Sequence, residues 1–172
     1  MYAFKRSVAL GLVALLLAIP VFPQEGGAPA KGDNLYSVAL FASIVEMEKS
    51  WGHIDDSNGG STIRRDYRHM LVEKDPEITD RLPSQLGDYR VQYLDKRAQI
   101  DRYKKLRKAF PILRIHPMQN EGARLEIEVS VSYFTHEKRR WLFAVSDWSD
   151  VEFHYDCEKQ KFVVSAVKLG GI

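Results

Sequence analysis

Residues 125–133 read Leu-Glu-Ile-Glu-Val-Ser-Val-Ser-Tyr, an unbroken alternation of apolar and polar side chains. Successive side chains on a strand point to opposite faces. Leu125, Ile127, Val129, Val131 and Tyr133 therefore share one face, and Glu126, Glu128, Ser130 and Ser132 share the other. A half-buried antiparallel strand has this pattern. Gln119-Asn120-Glu121-Gly122 precede it as a hairpin connection, after a strand expected over Ile112–Met118. His136–Arg139 follow it as a second turn. Trp141–Asp156 then reads as a long strand, interrupted at Asp147-Trp148-Ser149-Asp150 by a bulge or bend. Cys157–Gln160 makes a third turn, and Phe162–Leu169 is the last strand. The C-terminal third is a meander of four antiparallel strands.

Upstream of the meander the period changes. Asp95 can cap a helix whose apolar stripe is Ile100, Tyr103, Leu106 and Phe110, stopped by Pro111. Gly87 precedes a strand in which Tyr89, Val91 and Tyr93 alternate with Arg90 and Gln92. Asp75-Pro76 fits the cap and first-turn proline of a short helix ending near Leu82-Pro83. Arg65–Lys74 reads as a strand, and His53–Ser61 as a turn-rich loop. Leu35, Val38, Phe41, Ala42 and Val45 recur at helical spacing behind Asp33 or Asn34 as cap, and Gly52 ends that helix. There is no internal repeat. Helices early and a meander late imply one α+β domain over residues 35–172, with helices on one face of a curved, mostly antiparallel sheet.

This element order resembles the nuclear transport factor 2-like superfamily over Leu35–Leu169. The resemblance is carried by the capped helix Asp95–Phe110 feeding Ile112–Met118 and by the long bent strand around Asp147, not by a motif. The short helix at Pro76–Leu82 departs from the usual pattern. A cystatin-like sheet wrapped on a helix is the neighbouring architecture. The resemblance implies a cone that often keeps an apolar pocket between sheet and helices. Its members include isomerases, dehydratases, assembly modules and many non-enzymes, so the fold does not choose an activity.

The N-terminus concerns destination. Lys5 and Arg6 precede an apolar run, Val8–Ile19, closed by Pro20. As a helix that run is roughly 18 Å long, short of the ~30 Å hydrocarbon core of a bilayer. Together with Ala28-Pro29-Ala30 as an exit, residues 1–30 read as a signal peptide and cleavage region, and residues 31–34 as linker. The expectation is a secreted or periplasmic protein with no membrane span after processing. Cys157 is the only cysteine, so it is a free thiol or bridges to another chain. The net charge is +2. Removing Lys5, Arg6 and Glu25 lowers it to about +1, which excludes a global polyanion binder. Locally, Lys96, Arg97, Arg102, Lys104, Lys105, Arg107 and Lys108 face one acid, Asp101, and Lys138-Arg139-Arg140 adds a second basic cluster.

Several residues are candidates for chemistry. If alternation runs straight from Trp141, then Asp147 shares an apolar face with Trp141, Phe143, Val145, Val151, Phe153 and Tyr155. A desolvated carboxylate there has a raised pKa and can act as a general base. Tyr36, Tyr67 or Tyr93 would supply a hydrogen-bond donor. Trp51, Trp141, Trp148 and His116 are candidates to line a ligand site. Glu152, His154 and Asp156 share a strand face but span about 13 Å, too long for one ion without other strands. His69 and His116 read more simply as packed or surface histidines. In the 53–61 loop, EF-hand spacing ending at Asn58-Gly59 puts Ile54 at the first ligand position, which fails. His136-Glu137 lacks the second histidine of a zinc-protease helix, and there is no nucleophile elbow, P-loop, paired-cysteine zinc pattern or Asn-x-Ser/Thr acceptor.

The leading expectation is an exported binding or accessory module, without cofactor or metal. It would hold a small apolar ligand in the cone or pair with a protein, including a second copy, through the sheet face. The alternative is a cofactor-free lyase or isomerase using Asp147. A third reading is an anionic-surface binder using the helix within 96–108. Nucleic acid is not an expected partner.

Overall fold

The computed structural model describes residues 34–51, 66–122, 124–137 and 140–171. The apolar leader, the 53–61 loop and the Lys138-Arg139 pair lie outside the described residues. The elements run α1 (Leu35–Trp51), β1 (His69–Glu73), β2 (Gln85–Leu86), β3 (Tyr89–Leu94), α2 (Lys96–Leu106), β4 (Phe110–Ile115), β5 (Gln119–Glu121), β6 (Arg124–Glu137), β7 (Arg140–Asp156) and β8 (Lys161–Gly171). The fold is α+β, with one curved, unclosed mixed sheet in the order β2-β3-β1-β4-β6-β7-β8, and β5 paired to β6. The meander is antiparallel, whereas β1 pairs in parallel with both β3 and β4. With α2 between them, β3 and β4 flank β1 as a crossover unit.

Local chemistry sets the element ends. Asn34 caps α1, its Oδ1 accepting the Tyr36 amide at 3.0 Å. Asp95 caps α2, accepting the Ala98 amide at 2.7 Å. Arg107, left-handed at φ 56, closes α2 with its N–H on the Tyr103 carbonyl. The helix therefore stops before Phe110, which opens β4 instead of extending the helical stripe. Pro76–Leu82 is not a helix either. Asp75 caps a single turn there, accepting from the Glu77 amide at 2.9 Å, and β2 follows.

The helices lie against opposite faces, which corrects the expectation of a one-sided arrangement. Leu40, Ile44 and Met47 of α1 are buried with Leu113, Ile115, Ile127, Val129, Val131, Val151 and Phe153. Ala98, Ile100 and Tyr103 of α2 pack against Leu94, Phe110, Ile112 and Phe134. These two sets alternate along β4 and β6, so they project to opposite sides. Both faces of β4 and β6 carry apolar side chains, and each set is buried by its own helix. The short, basic α2 offers a narrow apolar stripe and covers only the Phe110–Phe134 end of its face, while the apolar α1 spans β6, β7 and β8.

Candidate functional site

Register decides which side chains meet on the α2 face. Val131 is opposite Asp147 and Ser132 is opposite Val145, so Ser146 is an extra residue on β7. Trp141, Phe143 and Val145 pair with His136, Phe134 and Ser132 on the α2 face. Asp147, Ser149, Val151 and Phe153 pair with Val131, Val129, Ile127 and Leu125 on the α1 face. The bulge thus reverses the side of Asp147 relative to Trp141 and Phe143, and the straight alternation expected through Asp147 does not hold. Asp147 is half-buried and accepts the Ser146 hydroxyl at 2.8 Å.

The three tyrosines are dispersed. The Tyr36 hydroxyl accepts the Met118 amide at 3.1 Å. Burial pushes the Tyr93 phenol up to about 12, and its hydroxyl donates to the Pro83 carbonyl at 2.9 Å. Tyr67 is buried in the α1-side core. Trp51 packs at the end of α1 against the same core. Trp141 stacks on Phe134 with centroids 5.3 Å apart and planes at 12°, and meets His136 at 4.4 Å and Tyr103 at 5.4 Å. Trp148 lies over Gly170 of β8, where a side chain would overlap the indole. Its large ring covers a backbone that has nothing of its own to pack.

On the part of the α2 face that no described helix covers, three strands align titratable groups in one cross-strand row. His116 donates its amide to the Glu128 carbonyl, Glu128 is opposite Asp150, and Asp150 is opposite Lys168. The adjacent row runs Arg114, Ser130, Trp148, Gly170. His116 Nε2 lies 2.8 Å from Ser130 Oγ and 3.4 Å from Glu128 Oε1. Both neighbours use the same ring nitrogen. A nucleophilic triad needs the carboxylate on the other nitrogen and an accessible hydroxyl, and Ser130 is buried. This cluster therefore organises polarity and does not activate a nucleophile.

Around it the charges are paired. Arg114 Nε donates to Glu73 Oε2 at 2.5 Å and its guanidinium lies over the Phe143 ring at 4.7 Å. Lys168 donates to Glu152, with Arg124 3.9 Å from the same carboxylate, and these hold Glu152 below the usual carboxylate range. Burial raises Asp150, opposed by Lys168 and reinforced by Glu152. Ser132 Oγ is buried with no hydrogen-bond partner among the described residues.

Glu152, His154 and Asp156 are engaged separately: His154 is exposed, and Asp156 accepts the Glu158 and Lys159 amides, each at 3.0 Å. Among the described residues no three His, Cys, Asp or Glu side chains form a ligand group. His69 pairs with Asp66 at 2.9 Å on the surface. Glu128, Asp150 and Lys168 were not among the residues singled out from sequence. The only signal for them was the polar half of the alternation, because the row exists only once three strands are in register. Among the described residues no helix is long and apolar enough to cross a membrane. No family model, curated protein or solved structure matches this chain.

Proposed function

We propose that the chain is an exported binding or accessory module that presents the uncovered part of the α2 face, around Glu128, Asp150, Lys168 and Trp148, to a protein partner. One observation carries this reading: a row of partly exposed charged side chains beside a tryptophan crosses β6, β7 and β8, while the opposite face of the same strands is buried under α1. Charged and aromatic side chains fixed by sheet register give orientation and specificity to an association. The space beneath α1 is occupied by Leu40, Ile44, Met47, Val151 and Phe153, each fully buried, which favours the sheet face over an internal ligand as the working surface. The chain order of a capped helix feeding β4, followed by a bent meander, supports a nuclear transport factor 2-like cone as the architectural reading.

Two measurements test it. Residues 1–30 fused to an export-dependent reporter should deliver activity outside the cytoplasm, and a silent reporter removes the export half. The purified chain, with light scattering and affinity capture, should show a self-complex or a captured protein that Glu128→Lys abolishes and Lys161→Glu, at the far end of β8, leaves intact. A monomer that captures nothing, or capture indifferent to Glu128→Lys, removes the binding half.

A further inference from the structure

The two halves of the α2 face present opposite charges. α2 lies over the Phe110–Phe134 end, and no described helix covers the rest. On that bare part Glu126 is opposite Glu152 and Glu128 is opposite Asp150, so four carboxylates stand together on β6 and β7. The fixed cations beside them, Lys168 and Arg124, both pair with Glu152. His116 lies 3.4 Å from Glu128 and adds charge only when protonated. Like charges directly opposite on neighbouring strands cost stability, and a cation brought from outside offsets that cost. Trp148 is partly exposed in the adjacent row, over Gly170. Ser132, at the border with the covered end, projects to the same face and is buried with no partner for its hydroxyl among the described residues.

The covering helix has the complementary character. At helical spacing Arg97, Lys104 and Lys105 project away from the stripe of Gln99 and Tyr103 that faces the sheet, with Asp101 the one acid among them. Arg107 and Lys108 follow at the C-terminal end. All five cations are exposed, and none forms an ion pair with a described residue. The dimensions also agree. α2 has 11 residues and is roughly 16 Å long at helical rise. From Ser132 to Glu126, β6 runs roughly 20 Å. A helix standing on a sheet leaves a step about 10 Å high beside it. A half-turn about an axis parallel to the sheet sets two copies face to face, each α2 in the step of the other and over its carboxylates. Such a contact is isologous and closes at two subunits. A basic segment of another protein would match the carboxylates but leave the cations of α2 uncovered, whereas a second copy answers both.

We propose that this chain forms a twofold dimer in which the outer face of each α2 seats on the Glu128–Asp150 face of the other copy; this rests on the protein-binding reading of that face and names its occupant. The test is a charge swap, read by sedimentation velocity of the full chain across a salt series. The unaltered chain should sediment as a dimer that weakens as salt rises. Lys104→Glu with Lys105→Glu, or Glu128→Lys with Asp150→Lys, should each weaken the dimer about tenfold or more. Mixed in equal amounts, the two variants should recover it, since each helix then meets a face of opposite charge.

Lys49 lies on α1, and Arg81 shares a cleft with Tyr36 of α1. Lys49→Glu with Arg81→Glu changes the charge equally and should leave the dimer within about twofold. The apolar run Val8–Ile19 is common to every variant, so differences between variants report the charged faces. Circular dichroism checks the fold. Where a reversal unfolds the chain, Lys104→Gln with Lys105→Gln and Glu128→Gln with Asp150→Asn take its place, and each should weaken the dimer about fivefold or more. Open chains longer than a dimer, a dimer indifferent to salt, equal losses from the α1-side pair, or a mixture that stays monomeric would each overturn the proposal. A monomer that captures another protein, released by Glu128→Lys, overturns the dimer and leaves the protein-binding reading of the face standing. A monomer that captures nothing overturns both.

Discussion

At the scale of single residues, polar groups placed in or near the core are the most informative. Ser149 donates to Ser43 at 2.7 Å, with both residues fully buried, which ties α1 to the centre of β7. Removing one partner leaves the other desolvated, whereas removing both does not. Ser43→Ala should therefore cost about 1–2 kcal/mol, and Ser43→Ala with Ser149→Ala should cost less than the sum of the singles in a urea-unfolding double-mutant cycle. Asp150 gives a prediction in pH. Burial raises its folded-state value, so its ionised form is penalised in the folded protein, and its contribution falls as pH rises from the unfolded value through the folded one. Asp150→Asn should stabilise the protein at neutral pH, and the gain should vanish below about pH 3. A gain independent of pH would show that ionisation is not its source. Glu152 acts in the opposite sense. Lys168 holds it low, so its contribution is present above the unfolded value and is lost on acidification.

At the scale of elements, α2 depends on its cap and β7 on its bulge. The basic helix is short and largely exposed, and Asp95 satisfies one of its free amides. Asp95→Ala should cost about 1 kcal/mol, measured by thermal unfolding, and should lower the helical signal in circular dichroism. The bulge at Ser146 predicts an asymmetry between two deletions. Without Ser146, Val145 still faces Ser132 and Phe143 still faces Phe134, so the strand loses only its bend. Without both Val145 and Ser146, Ala144 moves opposite Ser132, and Phe143 and Trp141 turn away from Phe134. The double deletion should be less stable than the single one by roughly 3 kcal/mol or more, the scale of emptying a buried aromatic site. Equal urea midpoints for the two would contradict this register.

At the scale of the whole molecule, two clusters share β4 and β6. The larger lies under α1, and the smaller lies around Phe134 at the α2 end. Strands common to both cores couple their unfolding. Phe134→Ala empties a fully buried site in the smaller cluster and should cost about 3–5 kcal/mol. In a Trp51→Phe, Trp148→Phe background, tryptophan fluorescence reports Trp141 in that cluster, and it and far-ultraviolet dichroism should lose signal in one transition at the same midpoint. Separate midpoints would show that the α2 end unfolds as a unit of its own.

The alternation at 125–133, the cap at Asp95 and the turn at Cys157–Gln160 were legible because they depend on neighbours in sequence: a period, a side-chain oxygen beside free amides, a break in the apolar run. By these local rules the sequence alone determined an α+β chain with an antiparallel C-terminal meander, and placed the cations of α2 on one short helix. The side of Asp147 was not legible, since one extra residue at Ser146 reverses every side chain before it and leaves no mark in composition. Nor were the parallel pairing of β1 with β3 and β4, the placement of α1 and α2 on opposite faces, or the row from His116 to Lys168. Each of these is a relation between segments distant in the chain, set by which apolar faces can be buried together. Only the tertiary structure decided them, and the packing of Tyr103 of α2 on Trp141 of β7 belongs with them.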